Sequence, residues 1–238
     1  MKIIKLTNKL LNPIGAQLVK YPYSDINRRV KLLEFFKINK VFDVGANIGR
    51  YVLDLRSLGF IGEVISFEPL SETFKALENN SKKDIHWTAF NYALGDKDLT
   101  TEINISANTD SSSLLEMLPS HLESAPQSEY VGKEKIKLHK LDTIFNELYN
   151  KNDRIYMKLD TQGFEKNVLD GAQDSLRKIK GIQIEMSLKP LYKGGILYLE
   201  MIDIMKNNGF ELYSLENGFS NPNTGQLLQV DGIFFRNQ

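Results

Sequence analysis

Six carboxylates in this sequence stand at or near the ends of short apolar runs: Asp43 in VFDVG, Glu68 in VISFEP, Asp96 in ALGD, Asp160 in MKLDTQG, Glu185 in IQIEMS and Asp231 in LLQVDGIFF. Charges set among Ile, Leu, Met and Phe are costly unless they are paired. An ordered series of acids suits a ligand that is cationic at one point and rich in hydroxyl and amine donors elsewhere. The first run leads into Gly45-Ala46-Asn47-Ile48-Gly49 and then a helical pattern. A turn of that kind offers backbone N–H groups at a helix start, where anions bind.

Three ligands compete for that turn. A phosphate loop needs Lys and Ser or Thr after its second glycine, but Arg50 and Tyr51 follow Gly49. A dinucleotide fingerprint needs glycines at its first, third and sixth positions, and Asn47 replaces the second of these. S-adenosylmethionine carries no phosphate, only a carboxylate and a sulfonium cation, and so fits better. In that reading Gly45, Asn47 and Gly49 hold the amino-acid tail and Asp43 faces the cation. Glu68, beside Pro69, takes the ribose hydroxyls, and Asp96, beside Leu94, takes the adenine amine. A nicotinamide-dependent oxidoreductase on a similar sheet is the enzyme alternative. A non-catalytic module that binds a carbohydrate or a partner is the other.

Methyl transfer is an in-line displacement, so an acceptor hydroxyl must be aligned and relieved of its proton. Lys158 and Asp160 alternate onto one face of a strand, and Asp160 at its end is the first candidate base, with Gln162 hydrogen-bonding nearby. Glu185 is the second, with Lys158 as its expected partner. Asp231 is a third acid at the same mouth. The three could also ligate Mg²⁺ through oxygen, although no close-spaced ligand cluster supports a metal. Asn108, Ser111, Ser112 and Ser113 suit sugar hydroxyls, with Tyr192 and Phe219 as aromatic platforms. His86, His121 and His139 are expected to be solvated or satisfied; His121 could serve only if its segment folds over the site.

The elements that must position these groups alternate between strand and helix. A helix over residues 25–39 precedes the first strand, KVFDVG. IGRYVLDLRSLGF follows as a helix closed by Gly59, then a second strand, then a helix capped by Ser71. IHWTAFNYAL forms the third strand, residues 100–135 a loop-rich lid or substrate segment, MKLD the fourth strand and GIQIEMS the fifth. A helix stopped by Gly209 and two closing strands complete the chain. Such alternation argues for a doubly wound, mostly parallel sheet, whose ligands lie outside the carboxyl ends of the strands.

Composition sets outer limits. Thirty basic and thirty acidic residues balance, which argues against a nucleic-acid partner. The absence of cysteine excludes disulfides and thiolate sites and fits a reducing, cytoplasmic setting. No apolar run reaches the ~20 residues of a membrane span. Residues 1–24 form an extension, part of it an amphipathic helix through Ile3, Ile4, Leu6, Leu10 and Leu11. Packing on its own domain or a partner is the expected role of that helix, with peripheral membrane contact the alternative. Residues 25–238 form the main domain.

VFDVGANIGRY, VISFEPL, ALGD, MKLDTQGFEKNVLDGA, GIQIEMS and LLQVDGIFFR resemble, in order, the blocks of the FkbM family of S-adenosylmethionine-dependent methyltransferases, across residues 25–236. KLDTQGFE together with LQVDG is the most discriminating pair. The resemblance implies a class I methyltransferase (Rossmann-like) sheet of seven strands with the last antiparallel. It also implies O-methylation of a hydroxyl on a sugar, polysaccharide or glycosylated metabolite. Many relatives carry Asp-Val-Glu-Gly where this chain has Asp-Thr-Gln-Gly, so Gln162 removes a negative charge.

Overall fold

Strands buried on both faces must be apolar throughout, and that is how the centre of this sheet reads. The computed structural model describes residues 2–14, 16, 18 and 24–236. Chain order opens with α1 (Lys2–Leu11), α2 (Ser24–Phe35), β1 (Lys40–Val44), α3 (Arg50–Ser57), β2 (Glu63–Phe67), α4 (Ser71–Ser81) and β3 (Trp87–Phe90). A second stretch holds β4 (Ala93–Leu94), β5 (Leu99–Ser106), α5 (Pro119–Leu122), β6 (Tyr130–His139) and α6 (Leu141–Leu148). Then follow β7 (Ile155–Leu159), α7 (Glu165–Asp170), β8 (Ile179–Ser187), α8 (Tyr198–Asn207), β9 (Glu211–Asn217) and β10 (Gln229–Phe235).

Among the described residues, the main sheet has seven strands in the order β3-β2-β1-β7-β8-β10-β9. β10 runs antiparallel to both neighbours, β8 and β9. The other pairings are parallel. The order reverses between β1 and β7, so the switch point lies at Gly45 and Asp160. Period-two alternation splits the core. Phe42, Val44, Phe67, Met157, Leu159, Ile182 and Ile184 pack with Leu141, Phe145, Val168, Leu169, Met201 and Met205 of α6, α7 and α8. On the opposite face Val41, Val64, Tyr156, Ile233 and Phe235 pack with Leu33, Val52, Leu55 and Leu77 of α2, α3 and α4, and with Phe36 just past α2. Helices thus cover both faces.

Several local expectations need correcting. IHWTAFNYAL does not form one strand: β3 extends the main sheet beside β2, whereas β4 pairs with β6 in a separate three-stranded sheet of order β4-β6-β5. Residues 100–135 are not mainly loop, because β5 and β6 pair antiparallel along Leu99–Ser106 and Tyr130–His139. Their polar Thr, Glu and Lys face water, which masks the strand period. Ser71 is not an N-cap. Leu70 holds that position, and both Ser71 N–H and Oγ donate to Glu134, at 3.0 and 2.5 Å. The helix at α1 forms, but Leu6 and Leu10 stay exposed rather than packing on the domain. Residues 19–23, next to the expected boundary at 24/25, lie outside the described residues.

Candidate active site

On the α2–α3–α4 face the apolar rows give way to polar ones toward the carboxyl ends of the strands. Asp43 of β1 is paired in register with Ser66 of β2 on one side and Lys158 of β7 on the other, and Lys158 with Gln183 of β8. Trp87 Nε1 donates to Ser66 Oγ at 2.9 Å, and Ser66 Oγ donates to Asp43 Oδ2 at 3.2 Å. Lys158 Nζ lies 3.5 Å from Asp43 Oδ1 and 3.3 Å from Asp160 Oδ2, and donates to the Gly45 carbonyl at 3.1 Å. Burial works against the ammonium, but Asp160 and Asp43 outweigh it and hold its pKa above the ordinary lysine value. Burial pushes the Asp43 carboxyl upward against the opposing pull of Lys158. Two acids share one lysine.

Glu68 follows β2 and is 6% exposed. Its Oε1 accepts Leu70 N–H and its Oε2 accepts Asn47 N–H, both at 2.9 Å. A carboxylate oxygen has two lone-pair sites, so each oxygen keeps one for a ligand hydroxyl. Burial raises its carboxyl to about 7, against the lowering effect of the Leu70 and Asn47 amides. The turn itself differs from the sequence picture of free amides. Gly45 and Ala46 N–H donate to the Phe67 carbonyl, Ile48 N–H to Asn47 Oδ1 and Gly49 N–H to the Ala46 carbonyl. From Gly45 to Gly49 the N–H groups are all partnered within the protein.

Two cavities meet here. One, of about 60 Å³, is lined by Gly45, Phe67, Glu68, Pro69, Leu70, Leu94, Ser112, Asp160 and Phe164 among others. The second, of about 280 Å³, is lined by Arg29, Asn47, Arg50, Tyr51, Asp110, Lys158, Gln183 and Asp231 among others. Gly45 and Asp160 line both. Segment 107–118 closes over the junction: Asn47 Nδ2 donates to Asp110 Oδ1 at 2.7 Å, and Ser113 Oγ donates to the Gln162 carbonyl at 2.7 Å.

At the mouth, Gln162 Nε2 donates to Asp160 Oδ1 at 2.8 Å and to Glu185 Oε2 at 2.9 Å. Tyr192 Oη donates to Gln162 Oε1 at 2.6 Å, which fixes the amide's orientation. Glu185 also accepts from Gln229 Nε2 at 2.6 Å. Its partners are therefore two amides, and not Lys158, which the acids at β1 and β7 have taken. Burial, then the Asp160 and Glu165 charges, push the Glu185 carboxyl well up. Burial and then Asp160 also raise Asp231.

Residues 43–212 match the Methyltransferase FkbM domain. The chain belongs to the FkbM methyltransferase family. The crystal structure of Methyltransferase FkbM from Methylobacillus flagellatus KT aligns with a TM-score of 0.51 at 16% identity, covering 90% of this chain and 48% of that one. TehB from Haemophilus influenzae aligns at 0.49 and 12% identity, covering 92% and 64%. Precorrin-6y C5,15-methyltransferase from Geobacter metallireducens GS-15 aligns at 0.44 and 10%, covering 92% and 93%. This chain thus spans about half the length of that FkbM structure and less than two thirds of TehB. No curated protein matches the sequence.

In this member of the FkbM family the acids picked out from the sequence do not all converge. Asp43 is fully buried under Lys158 and lines neither cavity. Asp96 follows β4 of the small sheet, outside both linings, with Lys97 Nζ at 3.8 Å. Among the described residues no group of three His, Asp or Glu side chains is disposed to hold a metal ion. Asp160, Glu185 and Asp231 are no such ligand set, and the Gln162 amide bridges the first two. Tyr192 is 2% exposed and spends its hydroxyl on Gln162, so it is no open platform. Asn108, Ser111 and Ser128 bond to one another rather than facing outward. His121 is buried between Tyr192 and Phe219, with ring centroids at 5.2 and 5.4 Å, and burial lowers its pKa.

Sequence reasoning missed two supports. Glu165 Oε1 gathers Thr161 N–H, Thr161 Oγ1 and Gly163 N–H at 2.8 to 3.2 Å, which shapes the turn that carries Gln162 at φ +55. An acid five residues past Asp160 and two past Gly163 was the available signal. Arg29 pairs with buried Glu216 and lies over the Tyr51 ring at 5.3 Å; nothing local in the sequence links residues so far apart. Gly45 has φ +74, and a Cβ there would fall 1.9 Å from the Asp160 carbonyl oxygen. Gly45→Ala is therefore expected to destabilise the fold by more than about 2 kcal/mol, read as a lower urea midpoint with an unchanged slope.

Proposed function

We propose that this protein is an S-adenosylmethionine-dependent O-methyltransferase whose acceptor is a hydroxyl of a sugar or glycan. The observation that carries the reading is Glu68, a buried carboxylate held on both oxygens by backbone amides and still open to two hydroxyl donors. Phe67, Leu70, Leu94 and Phe164 around it supply apolar walls for a purine. The cofactor would supply an electrophilic methyl group on sulfur. Glu68 would hold the ribose, and Arg29, Arg50 and Lys158 with Asp231 would surround the zwitterionic tail. The 60 Å³ beside Glu68 is far below the ~300 Å³ of small-ligand pockets. Entry therefore displaces segment 107–118, breaking the Asn47–Asp110 and Ser113–Gln162 hydrogen bonds.

The enzyme alternative is disfavoured on chemical grounds. A dinucleotide pyrophosphate needs unpartnered turn amides, and those of Gly45 to Gly49 are already used. The acceptor class follows from the groups at the mouth. Asp160 presents a hydrogen-bond acceptor at the junction of the cavities, backed by the Gln162 amide and Glu185, and this suits a neutral hydroxyl donor better than an anion. Asp160, at the junction of the cavities, aligns the hydroxyl and accepts its proton. Glu185, lining neither cavity, supports it through Gln162. Alignment is worth on the order of 7–11 kcal/mol, and a base about 10²–10⁴-fold in rate.

Two outcomes are expected. Glu68 holds its proton up to about pH 7 in the free protein. A carboxyl raised in this way contributes most to stability at low pH, and loses that contribution as pH rises from its unfolded value toward 7. Ribose hydroxyls favour the ionised form, so affinity for S-adenosylhomocysteine should rise about tenfold from pH 6 to 8 and level off, measured by calorimetry. Glu68→Gln should bind weakly and show no such rise; a pH-independent wild-type affinity contradicts the assignment. Asp160→Asn should keep cofactor binding and lose turnover by about a hundredfold or more, measured with labelled cofactor across a glycan panel.

A further inference from the structure

Among the described residues before α2, α1 is tied to Leu18, and several large aliphatic side chains are exposed. Asn8 Nδ2 donates to the Leu18 carbonyl at 2.9 Å and accepts Leu18 N–H on its Oδ1 at 2.6 Å. Ala16 N–H donates to the Leu11 carbonyl at 3.2 Å. These bonds turn the chain back along α1 and bring Leu18 level with its middle. Leu6 and Leu10 are 68% and 76% exposed, and Ile14 and Leu18 are 75% and 49% exposed. Four large aliphatic side chains left facing water in one short segment call for a partner.

Charge identifies the partner. Residues 1–24 contain four lysines, Lys2, Lys5, Lys9 and Lys20, and no Asp or Glu. The whole chain balances at thirty of each sign, so the rest carries more acids than bases. Attraction to an anionic surface is thus confined to the same segment that carries the exposed aliphatic side chains. Lys2, Lys5 and Lys9 recur at helical spacing, and Leu6 and Leu10 follow the same period about a third of a turn further round. A short helix with a lysine face beside an aliphatic face lies in the plane of a bilayer interface. Among the described residues no helix is long and apolar enough to cross a membrane.

We propose that α1 and the return segment to Leu18 dock this protein peripherally on the surface of an anionic lipid bilayer. Aliphatic side chains enter the acyl boundary, and the lysines meet acidic headgroups, an attraction that salt weakens. This docking would hold the methyltransferase domain at a membrane face.

The test is co-sedimentation of the full chain with phosphatidylcholine vesicles, with and without phosphatidylglycerol. Binding should be about tenfold or more stronger to the phosphatidylglycerol vesicles and should fall with added salt. The double variant Leu6→Asp/Leu10→Asp should lose about tenfold or more, with its melting temperature unchanged because both side chains are exposed. Lys2→Glu/Lys5→Glu/Lys9→Glu should lose the preference for phosphatidylglycerol. Absence of binding, equal binding to both vesicles, or binding indifferent to these variants would overturn the proposal. So would a Leu6- and Leu10-dependent dimer, seen by light scattering, that leaves vesicles unbound.

Discussion

One buried ammonium organises the carboxyl edge of this sheet. Lys158 of β7 reaches Asp43 on β1, Asp160 beyond its own strand and the carbonyl of Gly45 in the first turn. A charge removed from water is tolerable only where geometry and hydrogen bonding compensate it, and here three oxygens from three separate positions do so. The consequence is mechanical. The β1 turn and the β7 end are held in one arrangement at the switch point of the sheet, where open α/β sheets bind ligands. The trio holds two acids to one base, an excess that would suit the cationic donor proposed above.

Around that anchor the polar groups are arranged in series. Tyr192 orients Gln162, Gln162 bridges Asp160 and Glu185, and Glu165 shapes the turn that presents Gln162. Glutamine at this place does what a third carboxylate could not: its amide donates to two acids that would otherwise repel one another. A network whose members are satisfied is rigid, which fixes Asp160 and Glu185 relative to one another. Segment 107–118 is fastened across the cavities by two side-chain hydrogen bonds.

The parallel order of the central strands was legible from apolar runs separated by helical spacings, because strands buried on both faces leave no other pattern. Glu68 was legible for the same reason, being an acid at the end of such a run. The placing of Asp96 at the end of the third strand does not hold, since the chain leaves the main sheet after Phe90 and enters a different one at Ala93, and a strand too short for a period marks no change of partner. β5 and β6 were hidden by their Thr, Glu and Lys residues, most of which face water. The turn amides looked free because their acceptors, the Phe67 carbonyl and Glu68, arrive from another strand. The Arg29–Glu216 pair joins α2 to β9 and has no local trace at all.

The most direct test of the central claim is a double-mutant cycle between Lys158→Met and Asp43→Asn, read by urea denaturation. If the ammonium is anchored by that buried acid, each single change costs about 3–5 kcal/mol by stranding its partner. The double variant should then cost at least about 2 kcal/mol less than the sum of the two. Costs that add within about 0.5 kcal/mol would mean that Lys158 and Asp43 act independently, and the account of the anchored edge would be wrong.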